Sequence, residues 1–266
     1  MKKVLLVTKS NTSQGIGHTT RSKAIYKELK KFYLTKMITK EDKKHYSKYD
    51  ILIFDLPSYK DFLKNYDYRD QKIVCLDYDG KYPIDLNFSS IRTSKNAKKN
   101  SVTIDNIIID TQRSNISKKN NFILLTMGGS DPKNYTKKIL LKILKNNFTK
   151  IKVVLGPLNN NFKTFKTINK KNITILKNPK NYKLLQSNCK YAITNGGMTM
   201  CEMIYIKKII FAVPKNQNEK KFCKLVSKKY NLKFGSIKDI KILNYKYKSK
   251  LKIGNKALLK EIKLLN

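Results

Sequence analysis

Short apolar runs alternate along the chain with longer stretches that have helical periodicity. The apolar runs are continuous and rich in β-branched residues, which is typical of parallel strands buried on both faces. We predict strands at 4–8, 51–55, 73–77, 122–127, 151–155, 173–176, 191–194 and 209–213. We predict helices at 19–31, 134–146, 181–187, 199–206, 219–230 and 254–265. This alternation predicts an α/β protein.

A polar segment at 92–121 interrupts the alternation. It is rich in Lys, Asn and Ser and contains one short apolar island at 104–109. Domain boundaries commonly fall in segments of this kind. We therefore predict two Rossmann-like domains, an N-terminal one at 1–110 and a C-terminal one at 111–266.

The charge balance is strongly basic, with 58 Lys and Arg against 18 Asp and Glu and a net charge of +40. Only four of these basic residues are Arg, whereas base recognition and bidentate phosphate binding favour the planar guanidinium. The lysines are spread over the whole chain, which indicates compositional bias more than a nucleic-acid surface. We predict no specific nucleic-acid partner. A non-catalytic protein that binds polyanions weakly remains an alternative.

No apolar run approaches the roughly 18 residues of a membrane span. The apolar stretch at the start of the chain is too short for a signal peptide. The four cysteines form no metal-ligand spacing with the two histidines, which predicts reduced, buried thiols. We therefore expect a cytoplasmic protein without an integral membrane segment. The sequence does not indicate its oligomeric state.

A first candidate site lies between the first strand and the first helix, where Gly17, His18 and Arg21 follow Gly15. Glycine allows the backbone to approach a ligand closely, and a helix start presents N–H groups to an anion. The helix dipole disfavours a cationic His18, so a neutral imidazole could accept a proton. The alternative is that His18 only caps the helix, and position alone leaves both interpretations open.

Three further glycine or amide loops each follow a predicted strand. Gly129 and Ser130 precede one helix, which predicts a phosphate site, although an ordinary glycine turn has the same pattern. Gly197 precedes another helix, and Glu202 lies one turn further, where its carboxylate could accept hydrogen bonds from ribose hydroxyls. A solvated surface glutamate is the alternative, although the neighbours of Glu202 are apolar.

The last of these loops carries Asn216 and Gln217, whose amides could orient sugar or phosphate groups. Elsewhere, Asp77 and Asp79 have the Asp-x-Asp spacing of a metal motif. No nearby histidine or third carboxylate has an obvious ligand geometry, so we predict no metal site. We also predict no organic cofactor.

Taken in order, these motifs resemble those of the UDP-sugar hydrolases of pseudaminic acid biosynthesis, which are relatives of GT-B glycosyltransferases such as the lipid II synthase. The resemblance rests on Gly-x-Gly-His-x-x-Arg at 15–21 and on the segments 128–136, 196–202 and 215–217. It implies a GT-B-like α/β fold in which two Rossmann-like domains face each other across a cleft. It also implies that the substrate is a UDP-sugar.

On the nucleotide side, the resemblance assigns residues of the C-terminal domain. Gly129 and Ser130 would bind phosphate, Gly197 and Thr199 would lie at the diphosphate, and Glu202 would bind ribose.

On the sugar side, the resemblance makes His18 the catalytic base within a loop that includes Gly17 and Arg21. Asn216 and Gln217 would help to form the sugar site.

The chain departs from the family at two places on the sugar side. The family has Arg-x-Asp where this chain reads Thr8-Lys9-Ser10, and Asp-His-Tyr where it reads Asp55-Leu56-Pro57. The nucleotide is therefore better indicated than the sugar or the acceptor.

The reaction that follows is cleavage of the C1 to phosphate bond of a UDP-sugar with inversion, His18 taking a proton from the nucleophile. Water as nucleophile makes a hydrolase of pseudaminic-type biosynthesis, and a sugar or lipid hydroxyl makes a glycosyltransferase. The residues leave both open.

Overall fold

The described part of the chain folds into two units in the computed structural model. It comprises residues 1–9, 17–39, 43–60, 63–64, 66–68, 70–110, 121–146, 150–165, 168, 171–241 and 246–265, with only the backbone described at 45. Among these residues the first unit takes in 1–9, 18–110 and 252–265, and the second takes in 17 and 121–251.

Strands and helices alternate along both units. The strands are β1 (Lys3–Thr8), β2 (Leu34–Ile38), β3 (Ile51–Asp55), β4 (Lys72–Leu76), β5 (Ile84–Ser89), β6 (Ala97–Val102), β7 (Ile123–Thr126), β8 (Ile151–Leu155), β9 (Ile173–Lys177), β10 (Tyr191–Thr194), β11 (Ile209–Ala212) and β12 (Lys233–Phe234). The α-helices are α1 (Gly17–Leu29), α2 (Tyr135–Ile143), α3 (Tyr182–Asn188), α4 (Met198–Tyr205), α5 (Gln217–Tyr230) and α6 (Asn255–Lys263). Short 3₁₀ helices lie at Lys43–Lys48, Ile104–Asn106, Leu144–Asn146, Asn161–Phe165 and Ile237–Asp239.

The first sheet has six parallel strands in the order β2-β1-β3-β4-β5-β6. Both faces are buried, because Val4 and Leu6 pack in one apolar cluster while Leu5 and Val7 pack in another. The strand order reverses direction between β1 and β3. Open α/β sheets bind ligands at the carboxyl ends of strands beside such a reversal.

The second sheet is also parallel and six-stranded, in the order β12-β11-β10-β7-β8-β9. Here the order reverses between β7 and β10, whose last residues Thr126 and Thr194 are register partners. Leu125, Val153 and Ile193 from three neighbouring strands share one apolar cluster. The loops that leave β7 and β10 therefore start side by side.

The predicted α/β class and all of the predicted strands and helices are confirmed, with ends that shift by a few residues. Four strands, β2, β5, β6 and β12, were not predicted. β6 lies inside the polar segment at 92–121 and forms the edge of the first sheet.

The closing helix α6, which its place in the sequence assigned to the domain at 111–266, packs elsewhere. Its apolar residues Leu258, Leu259 and Ile262 share a core cluster with Val4 and Leu6 of β1. The structure therefore places α6 in the first unit.

No helix in the described ranges combines the length and apolar character needed to cross a membrane. The cysteines Cys75, Cys189, Cys201 and Cys223 are all unpaired and buried. Burial raises the pKa of each thiol above its ordinary value, which keeps them protonated and unreactive near neutral pH.

Candidate functional site

His18 contacts a buried carboxylate at the strand reversal of the first sheet. α1 is the first helix after β1 in the sequence, and His18 is its second residue. Asp55 is the last residue of β3 and pairs in register with Thr8 of β1. His18 Nδ1 lies 2.7 Å from Asp55 Oδ1, and the Asp55 side chain is fully buried while His18 keeps 22% of its surface exposed.

The Asp55 carboxylate is ionised. Burial alone would raise its pKa, but the Arg21 charge and hydrogen bonds from His18 and Arg21 outweigh burial and hold the pKa well below its usual range. An ionised carboxylate only accepts hydrogen bonds, so His18 Nδ1 must donate. In the neutral imidazole this leaves the lone pair on Nε2. The geometry thus selects the His18 nitrogen that is able to take up a proton.

Arg21 ties Asp55 to a second carboxylate. Its Nε and Nη2 donate to Asp55 at 3.0 and 2.6 Å, and its Nη1 donates to Asp77 at 2.6 Å. Ser22 donates to the same Asp55 carboxylate at 3.0 Å. The predicted substrate-binding residue Arg21 therefore holds two aspartates with its guanidinium. Its contact with a substrate stays a prediction.

Asp77 and Asp79 both pair with arginines. Asp77 follows β4 with a φ of 55°, and its carboxylate accepts from Arg21 and, at 2.6 Å, from Ser89. Asp79 accepts from Arg92 at 2.7 Å. Within the described ranges, no three His, Cys, Asp or Glu side chains cluster in a way that could hold a metal ion.

The second unit carries two glycine loops at the reversal between β7 and β10. In the loop after β7, Gly128 has a φ of 82°, a conformation that favours glycine. Ser130 is 1% exposed, and its Oγ has no hydrogen-bond partner among the described residues. Asp131 accepts from the backbone N–H groups of Tyr135 and Thr136, so it caps α2 itself.

The loop after β10 is closely packed around its glycines. A Cβ on Gly196 would lie 2.5 Å from Cys223 Sγ, and one on Gly197 would lie 2.8 Å from Asn195 Nδ2. Gly197 precedes α4 without a side-chain cap, and Thr199 is partly buried in the first turn. Unlike α2, α4 therefore has no side-chain cap at its start among the described residues.

Glu202 is partly buried on α4, so it is not a fully solvated surface residue. Gln186 of α3 is 4% exposed and donates through Nε2 to Glu202 Oε2 at 3.1 Å. Tyr182 lies close enough that, besides burial, the Glu202 charge raises its pKa. The carboxylate thus lies beside two polar side chains of α3, those of Gln186 and Tyr182.

Asn216 and Gln217 lie where α5 begins and are both exposed. Asn216 Oδ1 accepts from the backbone N–H of Glu219 at 2.9 Å, which makes Asn216 the N-cap of the helix. Its carbonyl oxygen therefore has a structural role. The predicted roles of both amides at a sugar stay predictions.

Sequence reasoning assigned no role in the site to Asp55, Lys215 or Glu219. The Asn216-x-x-Glu219 spacing is that of a helix capping motif and could have indicated Glu219. Asp55 closes a buried strand, a position at which polar residues often serve a ligand. The other predicted residues divide between the units, with His18 and Arg21 around Asp55 in the first unit and the glycine loops and Glu202 in the second.

No model of a protein family matches the chain. An uncharacterized protein of Methanocaldococcus jannaschii is 27% identical over 263 residues, an alignment that covers 77% of this chain and 54% of that protein. The chain therefore spans about half the length of this curated relative.

Several solved structures resemble the chain in fold. UDP-GlcNAc 2-epimerase of M. jannaschii, solved with UDP-GlcNAc and UDP, has a TM-score of 0.62 at 11% identity and covers 98% of this chain and 99% of its own. The spinosyn forosaminyltransferase SpnP has a TM-score of 0.58 at 8% identity, covering 90% and 87%. MurG of Acinetobacter baumannii has a TM-score of 0.52 at 10% identity, covering 100% and 90%. At these identities the likeness concerns the fold alone, and that fold is the two-domain, Rossmann-like GT-B fold.

Proposed function

We propose that the protein cleaves the bond between C1 and the diphosphate of a UDP-sugar, with inversion at C1 and His18 as general base. The observation that carries the proposal is the bond between His18 and the buried, ionised Asp55 at the strand reversal of the first sheet. A histidine that only capped its helix would not need a buried carboxylate on its side chain. The reaction requires no organic cofactor.

In the proposed step, an oxygen nucleophile bonds to C1 as the bond from C1 to the phosphate oxygen breaks. The electron pair of the broken bond stays on UDP, and the proton of the nucleophile passes to His18 Nε2. Asp55 keeps Nδ1 protonated and balances the positive charge that the imidazole acquires. Arg21 and Ser22 fix the Asp55 carboxylate, so the base is preorganised before a substrate arrives.

The glycine loops of the second unit favour a nucleotide diphosphate. In the part of the chain that the structure describes, no side chain caps the start of α4, whereas Asp131 caps α2 and Asn216 caps α5. Uncapped N–H groups at a helix start stabilise negative charge. We therefore place the diphosphate at Gly197 and Thr199, with the buried Ser130 hydroxyl as a further donor. Gly129, the residue before Ser130, is the proposed second phosphate-binding residue of this loop.

Glu202 is the proposed ribose ligand. Gln186 holds one of its carboxylate oxygens, which fixes the rotamer of a side chain that would otherwise sample several. A fixed carboxylate is able to accept hydrogen bonds from two vicinal hydroxyls. The M. jannaschii epimerase of the same fold was solved with UDP bound, which agrees with a uridine nucleotide here.

The motifs favour a hydrolase of pseudaminic-type sugar biosynthesis, with water as nucleophile. The alternative is an inverting glycosyltransferase, which the fold of SpnP and MurG supports equally. Both reactions use the same base and the same donor and differ in the acceptor. The four buried, unpaired thiols agree with a reducing compartment, and we place the reaction in the cytoplasm.

The test is incubation with a panel of UDP-sugars, with and without sugar or lipid acceptors, while released UDP is measured. Excess EDTA is present in a parallel series, and we expect no loss of activity there. UDP release without an acceptor supports the hydrolase, and release that requires one supports the transferase. If no UDP is released and UDP, pyrophosphate and RNA bind in order of charge, the protein is the non-catalytic polyanion binder that its net charge of +40 suggests.

A further inference from the structure

Lys215 extends from the loop after β11 to the glycine loop after β7. Its Nζ donates to the carbonyl oxygens of Met127 and Ser130, at 3.2 and 3.0 Å. Met127 precedes the two glycines of this loop and Ser130 follows them, at the strand reversal of the second sheet. The ammonium is therefore fixed against the backbone of a proposed phosphate-binding loop.

The backbone of Lys215 is also fixed, through a hydrogen bond from its N–H group. The Glu219 carboxylate accepts from the backbone N–H of Lys215 at 2.7 Å. It also accepts from Asn195 Nδ2 at 2.7 Å and from the backbone N–H of Gly196 at 3.2 Å. Glu219 and Lys215 together link the loops after β7, β10 and β11 through five hydrogen bonds.

The charge of this ammonium is not matched inside the described ranges. Lys215 is partly buried and forms no ion pair there, and both of its acceptors are uncharged carbonyls. Removing a cation from water without a counter-charge is unfavourable, and an anionic ligand would supply that charge. The buried Ser130 hydroxyl next to it also has no partner in this part of the structure. The Lys215 ammonium and the Ser130 hydroxyl thus lie at the same loop, and neither has an anionic partner among the described residues.

We propose that Lys215 binds the diphosphate of the substrate and neutralises the charge that this group gains as the bond to C1 breaks. The inference rests on the proposed function and adds a residue to it. Lys215 acts as a positive charge beside the leaving diphosphate, whereas Glu219 is a positioning residue that acts through Lys215 and the glycine loop. A cation placed where negative charge develops stabilises the transition state.

The experiment is calorimetric titration of UDP, uridine and pyrophosphate into the wild type, Lys215→Met and Lys220→Met. Lys220 is an exposed lysine of the same helix start and serves as the matched control for charge. We expect Lys215→Met to weaken UDP and pyrophosphate binding by roughly 10- to 100-fold, the value of one charged hydrogen bond. Uridine should bind equally to all three proteins, and Lys220→Met should bind UDP like the wild type.

The outcomes separate this proposal from the proposed function. UDP binding that is equal in Lys215→Met and the wild type overturns the role of Lys215 and leaves the UDP-sugar enzyme standing. Pyrophosphate binding that depends on Lys215, in a protein without affinity for UDP, supports the anion site and overturns the nucleotide. Absence of binding by UDP and pyrophosphate in the wild type overturns both.

A second measurement uses the wild type alone and does not depend on the folding of a variant. Lysines are acetylated with a limiting reagent in the presence and absence of UDP, and modified positions are quantified by mass spectrometry. We expect UDP to slow the modification of Lys215 several-fold and to leave Lys220 unchanged. Equal protection of both lysines would contradict a specific contact.

Discussion

Thr8 and Asp55 are register partners at the carboxyl ends of β1 and β3. Because α1 follows β1, this pairing brings the start of α1 to the Asp55 carboxylate, although His18 and Asp55 are 37 residues apart. The pairing gives the imidazole a defined orientation before any ligand is bound.

We expect His18→Asn to lower turnover by about 100-fold or more, the usual contribution of a positioned base. UDP affinity should change little, because the base does not contact the nucleotide. Steady-state kinetics with the best UDP-sugar, together with titration of UDP, measure both quantities. A turnover within a few-fold of the wild type would remove His18 from the mechanism.

We expect Glu202→Ala to weaken UDP binding and raise KM, with a much smaller change in kcat. The ribose does not react, so its contacts contribute about equally before and during the reaction. Each lost hydrogen bond to the carboxylate is worth about 1.5 to 3 kcal/mol. Glu28→Ala, which removes a carboxylate paired with Lys31 on α1, is the control and should bind UDP normally. Equal UDP affinity in wild type and Glu202→Ala would contradict the ribose assignment.

Acid should destabilise the protein through Asp55 and Asp77. Burial opposes ionisation of both, but Arg21 outweighs it, so both pKa values lie below the ordinary value. A carboxylate whose pKa is lower in the folded state stabilises the fold at pH values above its unfolded pKa of about 4. This stabilisation is lost as the pH falls through the folded pKa. We expect the free energy of unfolding to be steady above about pH 5 and to decrease below about pH 4. Urea unfolding at several pH values tests this, and Asp55→Asn should show a weaker pH dependence.

We expect Ile262→Ala to destabilise the first unit by about 2 to 5 kcal/mol, because the side chain is fully buried in the core formed with β1. Leu264, two residues further on, is 63% exposed and provides the control. Leu264→Ala should change the free energy of unfolding by less than about 0.5 kcal/mol. Equal effects of the two substitutions in urea unfolding would contradict the packing of α6.

The apolar strands could be predicted from sequence because each is a continuous β-branched run. β5 is not such a run, because Asp85, Asn87 and Ser89 alternate with its apolar residues, a pattern typical of a strand that is buried on one face only. Those side chains are buried and satisfied, Asp85 by the backbone N–H of Ile73 and Asn87 by that of Tyr78. In the sequence, a buried polar residue that accepts a hydrogen bond from a neighbouring backbone N–H cannot be distinguished from an exposed polar residue.

Of the candidate site, several residues could be predicted from the sequence but the contacts between them could not. His18 and the glycine loops stand at strand ends, which a single sequence shows. The contact of His18 with Asp55 depends on strand order, and the bonds from Lys215 and Glu219 join loops far apart in the chain. Strand order depends on packing between distant segments, which one sequence does not specify.

The packing of α6 has a consequence for biosynthesis. Ribosomes make a chain from its N-terminus, and domains usually fold in that order. Here Leu258, Leu259 and Ile262 complete the core around β1 but are translated after every residue of the second unit. A nascent chain of the first 110 residues lacks these three side chains and leaves an apolar surface of the sheet uncovered. The core of the first unit is therefore completed only after the whole second unit has been translated.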